Sequence, residues 1–318
     1  MKKVLLLVLT LVFVLSLMPV HAAELDVDEV EVLIPFGAGG TSDVTARRFQ
    51  VYLAEELGVN IVPLNVPGAG GRVCANRHFN NPPDGSVIMV HNLPTINTGE
   101  IAYDPDYKVS DFVPIYGITS EGRAVAVHPD SDFESFQDIM DESQNRPLTM
   151  AGVGYGATDH ILSILLQEKG LNHVYIPFGS GAEAARAVMG GHTDFAAPAA
   201  SSGLPYYQDG QINVVAISTE ESPKGYEDVP TLVEEGCDII LTTDTGLFGP
   251  PGMDEEIVAI FEEAFNGVME NEDYLEDCRK ADAPLYPRTA EEWEKAVMRS
   301  HRDISSIEDL VKEAVGAE

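Results

Sequence analysis

Cysteine is scarce in this chain, with Cys74, Cys237 and Cys278 the only three in 318 residues. They form no C-x-x-C pair and no even-numbered set, which excludes a disulfide scaffold and a paired-cysteine metal site. Buried free thiols are expected; one bridge with one cysteine left over stays open, because spacing cannot choose the pair. Positive charge is the second shortage: 19 Lys and Arg stand against 52 Asp and Glu, a formal net charge of −33. That balance excludes nucleic acid as a partner, since phosphate binding needs clustered cations. Also missing are an H-E-x-x-H pair, an EF-hand loop of alternating acids and a G-x-S-x-G elbow, so no metal and no cofactor is expected.

Long apolar runs are missing too, apart from one at the start. Residues 4–20 are apolar, follow Lys2 and Lys3, and end in the small-x-small sequence Val20-His21-Ala22, which reads as a cleaved secretory signal over residues 1–22. The run is short for a spanning helix, and no Cys stands at the cleavage point for lipid attachment. A soluble protein of a bacterial periplasm is expected. Cleavage removes two lysines and no acid, leaving 17 basic against 52 acidic residues, a net −35. The acids are spread along the chain, so they predict a solvated acidic surface that aids solubility and suits a saline habitat.

What is present organises the chain around residues 34–43, IPFGAGGTSD. An apolar strand end runs into glycines and then into a polar cluster that opens a helix, where Ser42 or Asp43 can cap the free N–H groups of the first turn. A second glycine turn, VPGAGG at 66–71, leads into a helix over 72–79, and a third strand covers 86–91. Strand, helix, strand, helix, strand implies crossover connections, a mainly parallel sheet and a ligand crevice at the carboxyl ends of the strands. Gly71, Arg72 and His91 at those ends are therefore candidates for ligand contact. Residues 94–111 read as a surface excursion, and 119–122 as a crossing into a second lobe.

The second half repeats the unit. A strand over 148–151, a glycine turn over 152–157 and Thr158 as helix cap are followed by a strand over 174–176 and the echo IPFGSG at 176–181. GLFGPPG at 246–252 reads as the return crossing, and the remainder as helical, with Thr289 and Glu292 forming a capping box. The length suits two domains of ordinary size. The expected organisation is a signal over 1–22, a first lobe over 23–121 plus 246–318, and a second lobe over 122–245.

Several chemistries fit parts of this pattern. Gly152, Gly154 and Ala157 match G-x-G-x-x-A, but the next strand ends in Ile176-Pro177-Phe178 without the acid a dinucleotide ribose requires. Ser42 or His160 can serve a hydrolase acting on a small acid ester, and this enzyme reading stays as the alternative. Asp43, Asp159 and Asp194 are each explained by capping or turn formation. Anion capture by helix N-termini remains: free N–H groups and the positive end of the helix dipole stabilise a carboxylate without a basic side chain, which suits an acidic protein. Each such contact contributes about 0.3–1 kcal/mol when exposed, so several turns must close on one ligand for micromolar binding.

The ordered segments IPFGAGGTSDVTAR, NVPGAGGRV, PPDGSV, HTDFA, DVPTLVEEG and GLFGPPG resemble the substrate-binding receptors of tripartite tricarboxylate transporters, the Bug or TctC-like family, over nearly all of the mature chain. The resemblance implies an α/β, two-lobed periplasmic-binding-protein-like fold of type II with two hinge crossings. It also implies a non-enzymatic, monomeric receptor that closes on a di- or tricarboxylate and presents it to membrane permease subunits. By the same similarity Phe36, Gly39, Gly40, Thr41, Ser42 and Asp43 form the first-lobe loop. Gly154, Tyr155, Gly156, Ala157 and Thr158 form the second, with Pro177, Phe178, Gly179 and Asp194 beside it. The chain departs from the family where Val153, Tyr155 and Asp159 enter the second loop and where Phe178-Gly179 replaces Tyr-Lys-Gly, which leaves the acid open. Tyr155 and Phe178 either stack on an aromatic acid or wall the cleft; Arg72 either meets a distal carboxylate or is solvated.

Overall fold

The structure is a computed structural model that describes residues 25–316; the expected signal segment lies outside them. The chain starts with β1 (Glu29–Ile34), whose inward residues Val30, Val32 and Ile34 are fully buried, and enters α1 (Thr41–Leu57) through the first glycine loop. Phe49 and Leu53, one helical turn apart, bury the inner face of α1, and Gly58 ends it in the left-handed conformation that favours glycine. Then come β2 (Asn60–Asn65), α2 (Arg72–Phe79), β3 (Val87–Leu93), α3 (Thr95–Tyr103) and β4 (Val113–Gly122).

After Arg123 the chain builds a second sheet from β5 (Ala124–Val127), β6 (Leu148–Gly152), β7 (His173–Pro177), β8 (Phe195–Ala196) and β9 (Asn213–Ile217). Their connections carry α4 (Phe136–Asn145), α5 (Thr158–Glu168), α6 (Gly181–Met189) and α7 (Ala200–Gln208). Strand β10 (Thr242–Gly249) returns to the first sheet and is followed by α8 (Glu255–Glu270), α9 (Glu272–Lys280), β11 (Leu285–Arg288), α10 (Ala290–Ser305) and α11 (Glu308–Val315).

The strand orders are β11-β4-β10-β3-β1-β2 and β7-β6-β8-β5-β9. Both sheets are mixed, which corrects the mainly parallel expectation. β1 is parallel to β2 and β3, and β6 to β7 and β8, but β10 runs antiparallel to β3 and β4, and β5 to β8 and β9. The crossing strands cause this: a strand that leaves one sheet for the other runs against those that carry the crossover helices. The crossings themselves are also displaced. Residues 119–122 are the end of β4 rather than a loop, and 246–249 are the middle and end of β10.

Each sheet is covered on both faces. Phe49, Phe261 and Phe265 pack on one side of the first sheet, and Phe112, Phe248 and Trp293 on the other. Each fully buried ring of that kind is worth about 1.5–3 kcal/mol relative to exposure. The second sheet is covered by Phe136, Leu162 and Leu166 on one face and by Ala184, Val188 and Leu204 on the other. A fifth cluster joins helices of both sheets: Ala102 of α3, Ile161 and Ile164 of α5, Ile304 of α10 and Val311 of α11. One further expectation is corrected here, and the expected buried free thiols are found. Residues 95–103, read as a surface excursion, form α3, with Thr95, Ile96, Asn97 and Thr98 buried. The three cysteines are all buried and free.

Candidate functional site

β1 and β6 each deliver a glycine loop and then a helix N-terminus at their carboxyl ends. In the first loop Gly37, Ala38 and Gly39 are exposed and Phe36, Gly40 and Thr41 half-buried. Gly40 is the N-cap of α1 and has no side chain with which to accept, so the first-turn N–H groups receive no side-chain cap. This corrects the expected cap from Ser42 or Asp43, which both lie inside the helix. Asp43 instead folds back on its own loop. Its Oδ2 accepts the Gly39 N–H at 2.8 Å, and its Oδ1 accepts from Arg47 Nε and Asn65 Nδ2 at 2.9 Å each. Asn65 also donates to the Phe36 carbonyl at 2.9 Å, so three side chains fix the loop. Burial alone would raise the Asp43 pKa; the Gly39 N–H, Asn65 and Arg47 outweigh it and hold the carboxyl below its ordinary value.

The second loop repeats the device. Ala157 caps α5 without a side-chain acceptor, so Thr158 is not the cap it was expected to be. Asp159 Oδ2 accepts the Val153 N–H at 2.6 Å and the Tyr175 hydroxyl at 2.7 Å. Gly154 N–H donates to the Tyr175 oxygen at 3.1 Å. Gly152 has no room for a side chain, since a Cβ would stand 2.1 Å from Asp159 Oδ2 and 2.2 Å from the Tyr175 oxygen. In both loops an acid of the first helical turn occupies a backbone N–H of the loop before it, and the N–H groups of the turn itself are left without a cap.

The loops meet. A methyl group on Gly70 would stand 3.5 Å from the Tyr155 carbonyl, and one on Gly156 would stand 3.5 Å from Thr98 Cγ2 of α3. Tyr155 is the exposed member, at 46%, and packs edge-on against His160. Gly71, in the left-handed region at φ 92°, lies over His91: a Cβ there would be 2.7 Å from Nε2. His91 is buried beneath the two first-unit loops, 6.0 Å edge-on from Phe36, and accepts the Asn92 N–H on Nδ1 at 2.8 Å. Burial pushes its pKa down to about 4, and it is neutral at physiological pH. His160 is likewise held at about 4 by burial and accepts the Gly156 N–H on Nδ1. Arg72 is half-buried, and its guanidinium lies 3.4 Å from the centroid of the Tyr103 ring.

Four residues were expected beside the second loop: Pro177, Phe178, Gly179 and Asp194. Asp194 is held by Thr149 N–H and Oγ1 at 2.7 Å each and by Arg146 at 2.7 Å. Thr149 precedes Gly152 by three residues, so Asp194 lies about 10 Å from the cleft end of β6. Pro177 is exposed, and Phe178 continues the β6 pairing through its N–H to the Gly152 carbonyl at 2.7 Å, with its ring packed against the second sheet's alanine-rich core. Gly179 N–H donates to Glu183 at 2.9 Å, so the α6 N-terminus is already occupied by a carboxylate of its own. Ser42 is buried and donates to Asn92 Oδ1 at 2.6 Å, which leaves it with an amide rather than a histidine as partner.

A buried polar seam between the loops was not foreseen. Ser42 bonds Asn92, and Asn92 Nδ2 donates to Thr245 Oγ1 at 2.8 Å. At the crossing, Arg123 is 6% exposed, donates Nε–H to the Ala197 carbonyl at 2.9 Å, and places Nη2 3.5 Å from Asp159. Glu121, 5% exposed, accepts the Ser201 N–H of α7 on Oε2 at 3.0 Å. Burial pushes the Glu121 carboxyl up, against the pull of Ser201 and Arg123. An isolated Glu and Arg one residue apart carry no sequence motif; the only available signal was a pair of charges inside an otherwise apolar strand region. No group of three or more metal-ligating side chains occurs among the described residues.

Comparison with known proteins gives three findings. A family model, described as the tripartite tricarboxylate transporter family receptor, matches residues 45–310. The UPF0065 protein in the gbd 5' region of Cupriavidus necator is 27% identical over 270 residues, 83% of this chain and 81% of that protein. Among solved structures, MatC from Rhodopseudomonas palustris with bound malate is 26% identical with a TM-score of 0.79, covering 90% of this chain and 99% of MatC. A TctC solute binding protein from Polaromonas, 24% identical, has a TM-score of 0.72 over 90% of this chain and 98% of its own, and shares the two-lobed fold.

Proposed function

The chain belongs to the tripartite tricarboxylate transporter receptor family, and from that membership we propose that it is an extracytoplasmic receptor that captures a small di- or tricarboxylate between its lobes. Delivery to the membrane permease subunits of such a transporter, a periplasmic location and a monomeric state complete the reading. We take the lobes as residues 23–121 plus 246–318 and residues 122–245.

The observation that carries the proposal is the pair of helix N-termini without a side-chain cap, α1 after Gly40 and α5 after Ala157, which we take to open on one cleft. Their N–H groups and dipoles favour an anion that brings two or more carboxylates. Gly39, Gly40 and Thr41 face it from one side, and Gly154, Tyr155, Gly156 and Thr158 from the other. Ser42, Asp43 and His91 act from behind as positioning residues, and Arg72 bounds the far end. MatC, whose structure contains malate, supports a dicarboxylate of four carbons as the first ligand to try. The hydrolase alternative loses ground to the Ser42–Asn92 bond, because a nucleophilic serine requires a base.

Thermal-shift screening of organic acids on protein stripped by unfolding and refolding tests the reading. A receptor gains stability as RT ln(1 + [L]/Kd), about 2.7 kcal/mol at a ligand excess of 100 Kd, and forms no product. Failure of every di- and tricarboxylate to raise the melting temperature, or turnover of an acid ester, would overturn it.

A further inference from the structure

Two buried oxygens of β4 have no hydrogen-bond partner among the described residues: Thr119 Oγ1 and Glu121 Oε1. They stand at alternate positions of one strand, so they share a face, with their Cα atoms about 7 Å apart. Their cross-strand partners in β10 are Thr245 and Thr243. Thr245 is already joined to Asn92 and through it to Ser42 on the first turn of α1, while the other oxygen of Glu121 holds Ser201 on the first turn of α7. The pair therefore lies on the floor where the chain crosses between sheets, with a helix N-terminus of each lobe at its sides. Thr119 is 3% and Glu121 5% exposed, so neither oxygen is satisfied by bulk water.

Leaving such groups unpaired is costly, and their chemistry restricts what can pair them. An ionised Glu121 accepts and cannot donate, so it repels a carboxylate; Thr119 can do both. A hydroxyl or an ammonium can donate to Glu121 Oε1, and Thr119 can accept from an ammonium or exchange a hydrogen bond with a hydroxyl on the same ligand. We propose that Thr119 and Glu121 form a subsite for a hydrogen-bond donor carried by the ligand, so that the receptor selects hydroxy- or amino-substituted dicarboxylates over unsubstituted ones. The inference rests on the carboxylate-receptor reading above. It assigns the carboxylates to the α1 and α5 N-termini and the substituent to the strand floor, which fixes the ligand's orientation.

Isothermal titration calorimetry of the stripped mature protein with succinate, L-malate and L-aspartate at pH 8 tests it. Malate or aspartate should bind on the order of tenfold tighter than succinate, and which of them leads distinguishes hydroxyl from ammonium. The substituted-to-succinate affinity ratio should fall about tenfold in Glu121→Gln. Thr119→Val, which keeps the side-chain shape and guards against a folding defect at Glu121, should lower the malate ratio in the same direction. Equal affinity for all three acids, or ratios unchanged in both variants, would overturn the subsite and leave the carboxylate reading standing. No heat with any of the three would overturn both.

Discussion

Asp43 and Asp159 each spend a carboxylate on the loop that precedes their own helix, and this use of charge decides what the loops can do. Asp43 receives Gly39, Asn65 and Arg47 and is held below its ordinary pKa of 3.8. A depressed carboxyl stabilises the fold above its unfolded pKa, and that contribution is lost as pH falls through the folded one. Asp43→Asn should therefore cost about 1.5–3 kcal/mol near neutral pH in urea denaturation and flatten the acid limb of the stability curve below pH 4. The histidines act in a different window. His78, His91 and His160 are each held at about 4 against an ordinary 6.5, chiefly by burial. The unfolded chain takes up those protons first, so stability should drop as pH falls from 6.5 towards 4. Each group contributes up to about 1.4 kcal/mol per pH unit within that window. A melting temperature that is flat between pH 7 and 4.5 would contradict the buried, neutral assignment.

At the scale of elements, the strand-loop-helix units were legible because their signals are local. The helix over 72–79 lies where the glycine punctuation puts it. Helix α3 was hidden because its buried face is built from Thr95, Asn97, Thr98 and Gly99, residues that read as turn and are paired here by tertiary contacts such as Asn97 with the Val297 carbonyl. Strand β10 was hidden for a related reason: Gly246 is packed under Trp293, a contact 47 residues away that no local pattern announces. The loops were recognised, but the caps were not, because Gly40 and Ala157 cap by backbone position alone. The same loops give opposed glycine substitutions. Gly152→Ala forces a Cβ into the Asp159–Tyr175 pair and should destabilise by about 1–3 kcal/mol while disordering the second loop. Gly40 has an ordinary φ of −77°, and its nearest Cβ neighbour would be 3.4 Å away, so Gly40→Val should melt near wild type and lose ligand-induced stabilisation. Retained ligand response in Gly40→Val would remove the first loop from the site.

For the whole molecule, the acidic surface and the anion-binding reading are compatible because the capture proposed above depends on backbone N–H groups rather than on basic side chains. Net charge of −33 adds self-repulsion that salt screens within about 8–10 Å near physiological ionic strength, so the melting temperature should rise from low salt to about 0.5 M NaCl. A fall would contradict the surface account. The two sheets are connected through the ends of β4 and β10 and by the apolar cluster of α3, α5, α10 and α11. The most direct measurement of the central claim is calorimetric titration of the stripped mature protein with L-malate. The account predicts one saturable site per chain at micromolar Kd, abolished in Gly40→Val. Absence of binding for malate and for the other small di- and tricarboxylates would contradict it.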